Sequence, residues 1–205
     1  DAFQATILDS TNTVKFDTAR ASHGGYSCRV DIPTTGRCAL SWDSQGPLSE
    51  IWGRVYIYYT ANPPSGHRLV GMWNSSGTYN GAILLLSSGL IRVEDSAFTS
   101  NDTVGTIPLN QWTRIEFHVI FSATVGQLEA KIFSGDATSP IANGTVSSPA
   151  SRNTLASGDE IDFGSTTAVA QSGGLTFWMD SLNVNTTGWP GPVSSKKLMG
   201  LLGIG

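Results

Sequence analysis

The stretch Glu50-Ile51-Trp52-Gly53-Arg54-Val55-Tyr56-Ile57-Tyr58-Tyr59-Thr60 carries two different rows of side chains. Ile51, Val55, Ile57 and Tyr59 fall on one side of an extended chain; Trp52, Arg54, Tyr56 and Tyr58 fall on the other. Successive residues of a strand point to opposite faces, so this period of two predicts a β-strand with one apolar face and one semi-polar face. The run Gln111 to Phe121 repeats the pattern. Thr113, Ile115, Phe117, Val119 and Phe121 share one face, while Trp112, Arg114, Glu116, His118 and Ile120 share the other. The apolar rows belong in a core between two sheets. The aromatic and charged rows suit a curved outer sheet surface of the kind a large jelly roll offers to a ligand.

Working outward, similar runs recur at 3–8, 13–16, 25–32, 37–43, 67–73, 79–86, 89–95, 126–134, 159–164 and 174–185, separated by Gly, Pro, Asn and Ser clusters. Ser87-Ser88-Gly89 between two of them reads as a hairpin turn. About a dozen strands with no helical pattern between them predict an all-β, two-sheet antiparallel jelly-roll sandwich. Composition agrees. The 205 residues include 25 serines, 21 threonines and 23 glycines, and only 14% are charged, which is poor material for surface helices. A hydrophobic content of 40% is too high for a disordered chain. A net charge of −4, with the basic residues mostly scattered singly, provides no phosphate-binding stripe and argues against nucleic acid. No apolar run is long enough to span a bilayer, and the first residues carry no secretion-signal pattern.

Cys28 and Cys38 flank Pro33-Thr34-Thr35-Gly36, which predicts a turn between paired strands. A two-residue loop at Thr34-Thr35 would pair Cys38 with Asp31 and leave Cys28 on the opposite face. A disulfide would then require a bulge or another register, and the compartment stays open.

Three strings carry a family resemblance: Trp52-Gly-Arg-Val-Tyr-Ile-Tyr, Gln111-Trp-Thr-Arg-Ile-Glu, and Phe177-Trp-Met-Asp-Ser-Leu-Asn-Val. Together they resemble the concanavalin A-like lectin/glucanase superfamily, in its laminin-G-like and heparin-lyase-like branch. The ending Asn185-Thr-Thr-Gly-Trp-Pro-Gly-Pro is similar to lectin-like domains of minor tail and other virion proteins of actinobacterial phages. The likeness covers residues 13–192. It implies a concanavalin A-like sandwich, cell-surface polysaccharide as ligand and a place in a virion, tail-associated or as head decoration. A secreted bacterial carbohydrate-binding module and a polysaccharide lyase or glycoside hydrolase are the alternatives.

The enzyme alternatives can be tested on the residues. Retaining glycosidases need two carboxyl groups a short distance apart, and laminarinase-type members place them on a Glu-x-Asp-x-(x)-Glu strand. Here Glu160 and Asp162 begin such a strand, but Gly164 and Ser165 occupy the places of the last carboxylate, and Asp159 faces the other way. The proton donor is missing, so a non-enzymatic protein is expected. A lyase needs a base beside a carboxylate-neutralising group, for which Arg54, Tyr56, Tyr58, Arg114, Glu116 and His118 supply the parts on one face. The same residues fit an ion-pair lattice between strands, or a glycan-contact surface. His23 and His67 sit beside turn glycines and read as surface residues. Trp73 and Tyr79, flanking Asn74-Ser-Ser-Gly-Thr78, read either as core packing or as a platform for the apolar face of a sugar ring. No cofactor is expected. Calcium is the one ion the resemblance suggests, with oxygen ligands at Asn101, Asp102, Asp159 to Asp162 and Asp180, none in a loop-like period.

The pattern of strands ends near Gly188, which divides the chain into a sandwich of residues 1–192 and a tail of residues 193–205. Leu198, Met199, Leu201, Leu202 and Ile204 make that tail apolar, and three glycines in its last eight residues disfavour a helix. The expectation is that the tail anchors the domain to neighbouring virion subunits in an oligomer or larger assembly.

Overall fold

Fourteen strands carry the chain in this computed structural model, which describes residues 5–9, 11–43 and 45–193. In order they are β1 (Ala5–Leu8), β2 (Thr13–Asp17), β3 (Ser27–Ile32), β4 (Cys38–Trp42), β5 (Glu50–Tyr59), β6 (His67–Trp73) and β7 (Tyr79–Leu85). They continue with β8 (Leu90–Asp95), β9 (Ser100–Thr106), β10 (Trp112–Ile120), β11 (Gln127–Ser134), β12 (Thr145–Ser147), β13 (Glu160–Ser165) and β14 (Leu175–Asn185). No helix occurs among the described residues. Sheet one runs β1-β4-β13-β6-β7-β8-β9 and sheet two runs β12-β11-β10-β5-β14-β3-β2. The strand pairs are antiparallel, and the two sheets close a sandwich around one core.

The core is the one that the period of two dictates. Ile51, Val55, Ile57 and Tyr59 of β5 are buried with Ile115, Phe117 and Val119 of β10 against Val70, Met72, Ile83 and Phe163 of sheet one. Gly53 sits in this row for a steric reason. It pairs in register with Phe117, and a Cβ placed on it would fall 2.0 Å from the Phe117 ring. The β7–β8 hairpin turns at Ser87-Ser88-Gly89 as expected, with Gly89 at φ +85°. β9 and β12 were not expected: their sequences, Ser100-Asn-Asp-Thr-Val-Gly-Thr and Thr145-Val-Ser, are too polar or too short to show alternation.

The expected hairpin between the cysteines does not form. β3 pairs with β2 and β14 in sheet two, while β4 pairs with β1 and β13 in sheet one, so residues 33–37 cross from one sheet to the other. The Asn12 side-chain amide holds this crossing by donating to the carbonyls of Thr35 and Arg37. Cys28 and Cys38 are free thiols, both pushed up to about 12 by burial. His67 is also not a surface residue. It lies in the core with its Nε2 2.9 Å from the Tyr59 hydroxyl, and burial lowers its pKa to about 4.

Candidate functional site

Register on the outer face of sheet two places Trp52 beside His118, Arg54 beside Glu116, Tyr56 beside Arg114 and Tyr58 beside Trp112. Six of the expected site residues, Arg54, Tyr56, Tyr58, Arg114, Glu116 and His118, therefore share one surface. The centre of that surface is closed. Arg114 and Glu116 are 1% and 2% exposed, and Tyr56 is fully buried. Arg114 donates from Nε to Glu116 Oε1 at 2.8 Å and from its two other nitrogens to the carbonyls of Gly135 and Ala137. Arg54 reaches the Ser181 and Gly191 carbonyls, and its burial lowers the guanidinium pKa. Tyr56 donates to Asp136 Oδ1 at 2.5 Å and accepts from the Val193 amide, with burial and Asp136 raising its pKa.

Two segments make this roof: the loop after β11, and a strap of residues 186–193 after β14. Trp189 of the strap lies over Lys131, 3.5 Å from the ammonium, and edge-on to His118. A cleft of about 300 Å³ remains between strap and sheet, lined by Arg114, Glu116, Lys131, Phe133 and Trp189 among others. The expected lattice between strands does not form from these residues: Arg114 and Glu116 pair along β10 itself, and Arg54 bonds carbonyls instead of carboxylates. His118 stacks on Trp52 with ring centroids 4.6 Å apart. Its two nitrogens lie 2.7 Å from Glu129 and 2.8 Å from Glu50.

Beside the roof, His23 links Ser181 Oγ at 3.1 Å to Asp136 Oδ2 at 3.2 Å. The trio has the composition of a nucleophilic serine site. Ser181 Oγ, however, is also placed to donate its one hydroxyl proton to Asp180 Oδ1 at 3.1 Å, in competition with the His23 nitrogen that would have to take that proton. Asp180 is committed structurally, accepting the Ser22 and His23 amides.

Trp73 and Tyr79 belong to the other sheet, facing each other across β6 and β7 on the outer side of sheet one. Tyr79 donates to Glu94 at 2.8 Å, the Arg68 guanidinium lies 4.1 Å over its ring, and Arg68 pairs with Glu94 at 3.2 Å. Burial raises the Tyr79 pKa. Phe98 stacks on Tyr79 with centroids 5.4 Å apart and planes within 16°, yet is 63% exposed and held at φ +61°. The neighbouring loop is self-contained, since Asn74 Oδ1 accepts from Ser76 and Thr78.

The interrupted carboxylate strand is on this same face. Ser41 donates to Glu160, while Asp162 is 2% exposed with Oδ1 unpartnered and its pKa pushed up to about 7, chiefly by burial and further by Glu160 and Asp43. Trp73 covers it: a Cβ on Gly71, the register partner of Asp162, would fall 2.2 Å from the Trp73 ring and 2.6 Å from Thr166 Oγ1. Asp159 turns away to accept the Gly46 amide. Among the described residues, no group of three His, Cys, Asp or Glu side chains is arranged to hold a metal ion.

Sequence reasoning missed Phe98, Arg68, Asp136 and Trp189. Arg68 lay in a run read only for strand periodicity, and Phe98 in the gap between two such runs. The last two belong to turn-rich segments whose partners are distant in sequence.

No protein-family model matches the chain, and no curated protein matches it. Solved structures do. An endo-β-1,4-glucuronan lyase from the fungus Trichoderma reesei superposes with a TM-score of 0.66 at 12% identity, covering 91% of this chain and 92% of its own. A Shewanella oneidensis protein of unknown function gives 0.54 at 13%, over 88% and 75% of the two chains. The binding domain of botulinum neurotoxin DC, in complex with SialylT, gives 0.53 at 9%, over 85% and 41%. What these proteins share with this chain at such identities is the jelly-roll sandwich.

Proposed function

We propose that the protein is a non-enzymatic, lectin-like carbohydrate-binding protein that engages glycan on the outer face of sheet one, through the ledge of Trp73, Tyr79 and Phe98. One observation carries the reading. Phe98 is a bulky side chain in the left-handed region, a conformation that costs energy, and what it gains there is a place on the exposed edge of an aromatic stack. A flat aromatic surface complements the apolar face of a pyranose, and the Arg68–Glu94 pair beneath it keeps the Tyr79 ring fixed. Two of the neighbouring structures, the glucuronan lyase and the binding domain in complex with SialylT, support the class of ligand.

The non-enzymatic part is supported by how the acid–base candidates are used. Arg54, Tyr56, Arg114 and Glu116 are roofed and hydrogen-bonded, His118 is clamped between carboxylates, and the Glu160–Asp162 strand has no third carboxylate. A place in a phage particle rests on the resemblance of Asn185–Pro192, a segment that here forms the strap. The proposed partners are other virion subunits, reached through the apolar tail. Residues 194–205, including Leu198, Met199, Leu201, Leu202 and Ile204, lie outside the described residues.

The test is a glycan array probed with wild type, Trp73→Ala and Phe98→Ala. Wild-type binding that drops at least about tenfold in both variants is expected, the loss of one stacked ring being worth about 1.4 kcal/mol or more. Absence of wild-type binding would overturn the reading, and depolymerisation of any bound polysaccharide would replace it with the lyase or hydrolase alternative. Incorporation into virions unaffected by deletion of residues 194–205 would refute the tail's role.

A further inference from the structure

Seven of the eight arginines hold a carboxylate, an amide oxygen or a backbone carbonyl: Arg29, Arg37, Arg54, Arg68, Arg92, Arg114 and Arg152. Arg20 is different. Among the described residues its guanidinium has no hydrogen-bond acceptor and no carboxylate. It rests instead 4.1 Å over the Trp178 ring and 4.9 Å over the Tyr58 ring. Those rings belong to a cross-strand row on the outer face of sheet two: Trp112 of β10, Tyr58 of β5 and Trp178 of β14 are in register, each with its neighbour. Adjacent strands lie about 4.8 Å apart, so the row spans roughly 10 Å, and its rings meet edge to face, Tyr58 at 67° to Trp112 and 89° to Trp178. Trp178 is anchored by its Nε1 donating to Asp17 at 2.9 Å. Trp112 Nε1 and the Tyr58 hydroxyl have no partner among the described residues, and both side chains, like Arg20, are half-buried.

We propose that Arg20, Tyr58 and Trp112 form a binding subsite for an acidic sugar, with the pyranose against the Trp112 ring, the Tyr58 hydroxyl beside it and the sugar carboxylate on the Arg20 guanidinium. Contact with the two rings holds the guanidinium in place while its N–H groups have no acceptor among the described residues, and such a group can meet a carboxylate with two parallel hydrogen bonds. Nearby charge favours an anion. Lys15 and Arg29 are paired with Asp17 and Asp31, whereas Arg20 has no such partner among the described residues, which leaves it as the uncompensated cation. A nucleic acid would need several such cations in a track, and this row has one beside a sugar-sized aromatic surface. The subsite takes its ligand class from the carbohydrate-binding reading above, but it lies on the opposite sheet and shares no residue with the Trp73 ledge.

The experiment is calorimetric titration of the full chain with β-1,4-linked tetraglucuronate and with the same tetramer after reduction of its carboxyl groups. Wild type should bind the acid form at least about tenfold more tightly than the reduced form. Arg20→Gln should remove that preference and Trp73→Ala should leave it intact, with thermal melts confirming that both variants fold. Equal wild-type affinity for the two tetramers, no wild-type binding of either, or a preference that survives Arg20→Gln would each overturn the subsite. Because array binding through Trp73 is scored separately, failure here leaves the carbohydrate-binding reading standing, and failure there leaves this one standing.

Discussion

Asp162 and His67 are both buried, and burial acts on them with opposite sign. The carboxyl is raised from 3.8 to about 7, so the folded state binds its proton more tightly than the unfolded state. Its destabilising effect is absent at low pH, grows as pH rises through the interval between those values and is complete above about 7, where it amounts to roughly 2–4 kcal/mol. The imidazole is lowered from 6.5 to about 4, so its contribution is present above 6.5 and lost as pH falls toward 4. In the wild type the two slopes oppose each other between about pH 4 and 6.5. Asp162→Asn removes one of them. Its Tm should exceed that of the wild type by about 5 °C at pH 8, with the gain shrinking toward pH 4. A Tm difference that did not vary with pH would contradict this assignment. Arg114 and Glu116 give a second prediction at this scale. Glu116→Ala should cost about 3–5 kcal/mol in urea denaturation, because it strands a buried guanidinium. The double variant Arg114→Met/Glu116→Leu should recover part of that loss but not all, since the carbonyls of Gly135 and Ala137 would lose their donors.

At the scale of the strand, the β5–β10 pair depends on a glycine that makes room for an aromatic ring. Gly53→Ala should destabilise by about 1–3 kcal/mol, because the Phe117 ring, buried in the core, must move to make room for the added Cβ. Gly53→Ala/Phe117→Leu should restore much of it, as read by the denaturation midpoint. If the double variant were no better than the single one, the ring would not be the cause. This contact also marks where sequence reading stops. The faces of β5 and β10 were legible because burial alternates along each strand, and a period of two survives in the residues themselves. That Gly53 lies against Phe117 was not legible, because register between distant strands is set by the whole sheet. The misread of residues 28–38 has the same origin: a Pro-Gly turn signal does not say whether the next strand stays in its sheet. The site was half legible. The charged and aromatic row on β5 and β10 was read correctly as a row. Its roof was not read, because Gly188–Pro192 carries no periodicity to show which surface it covers.

For the whole molecule, the arrangement of the two sheets has a functional consequence. The Trp73 ledge lies outward of sheet one and the Arg20 row outward of sheet two, and in a sandwich these directions diverge across two layers about 10 Å apart. One glycan chain cannot lie flat on both surfaces. If both surfaces bind, a single copy of the protein joins two chains, one by stacking alone and one by stacking plus charge. Beads coated with a neutral glycan positive on the array should therefore retain biotinylated tetraglucuronate only when wild-type protein is present. Trp73→Ala should release protein and acid together from the beads. Arg20→Gln should leave protein on the beads but free the acid tetramer, and added salt should mimic Arg20→Gln because only the second contact is ionic. Capture of the acid that persisted in Arg20→Gln, or that was lost while Trp73→Ala protein stayed bound, would mean that the two surfaces do not act as separate sites.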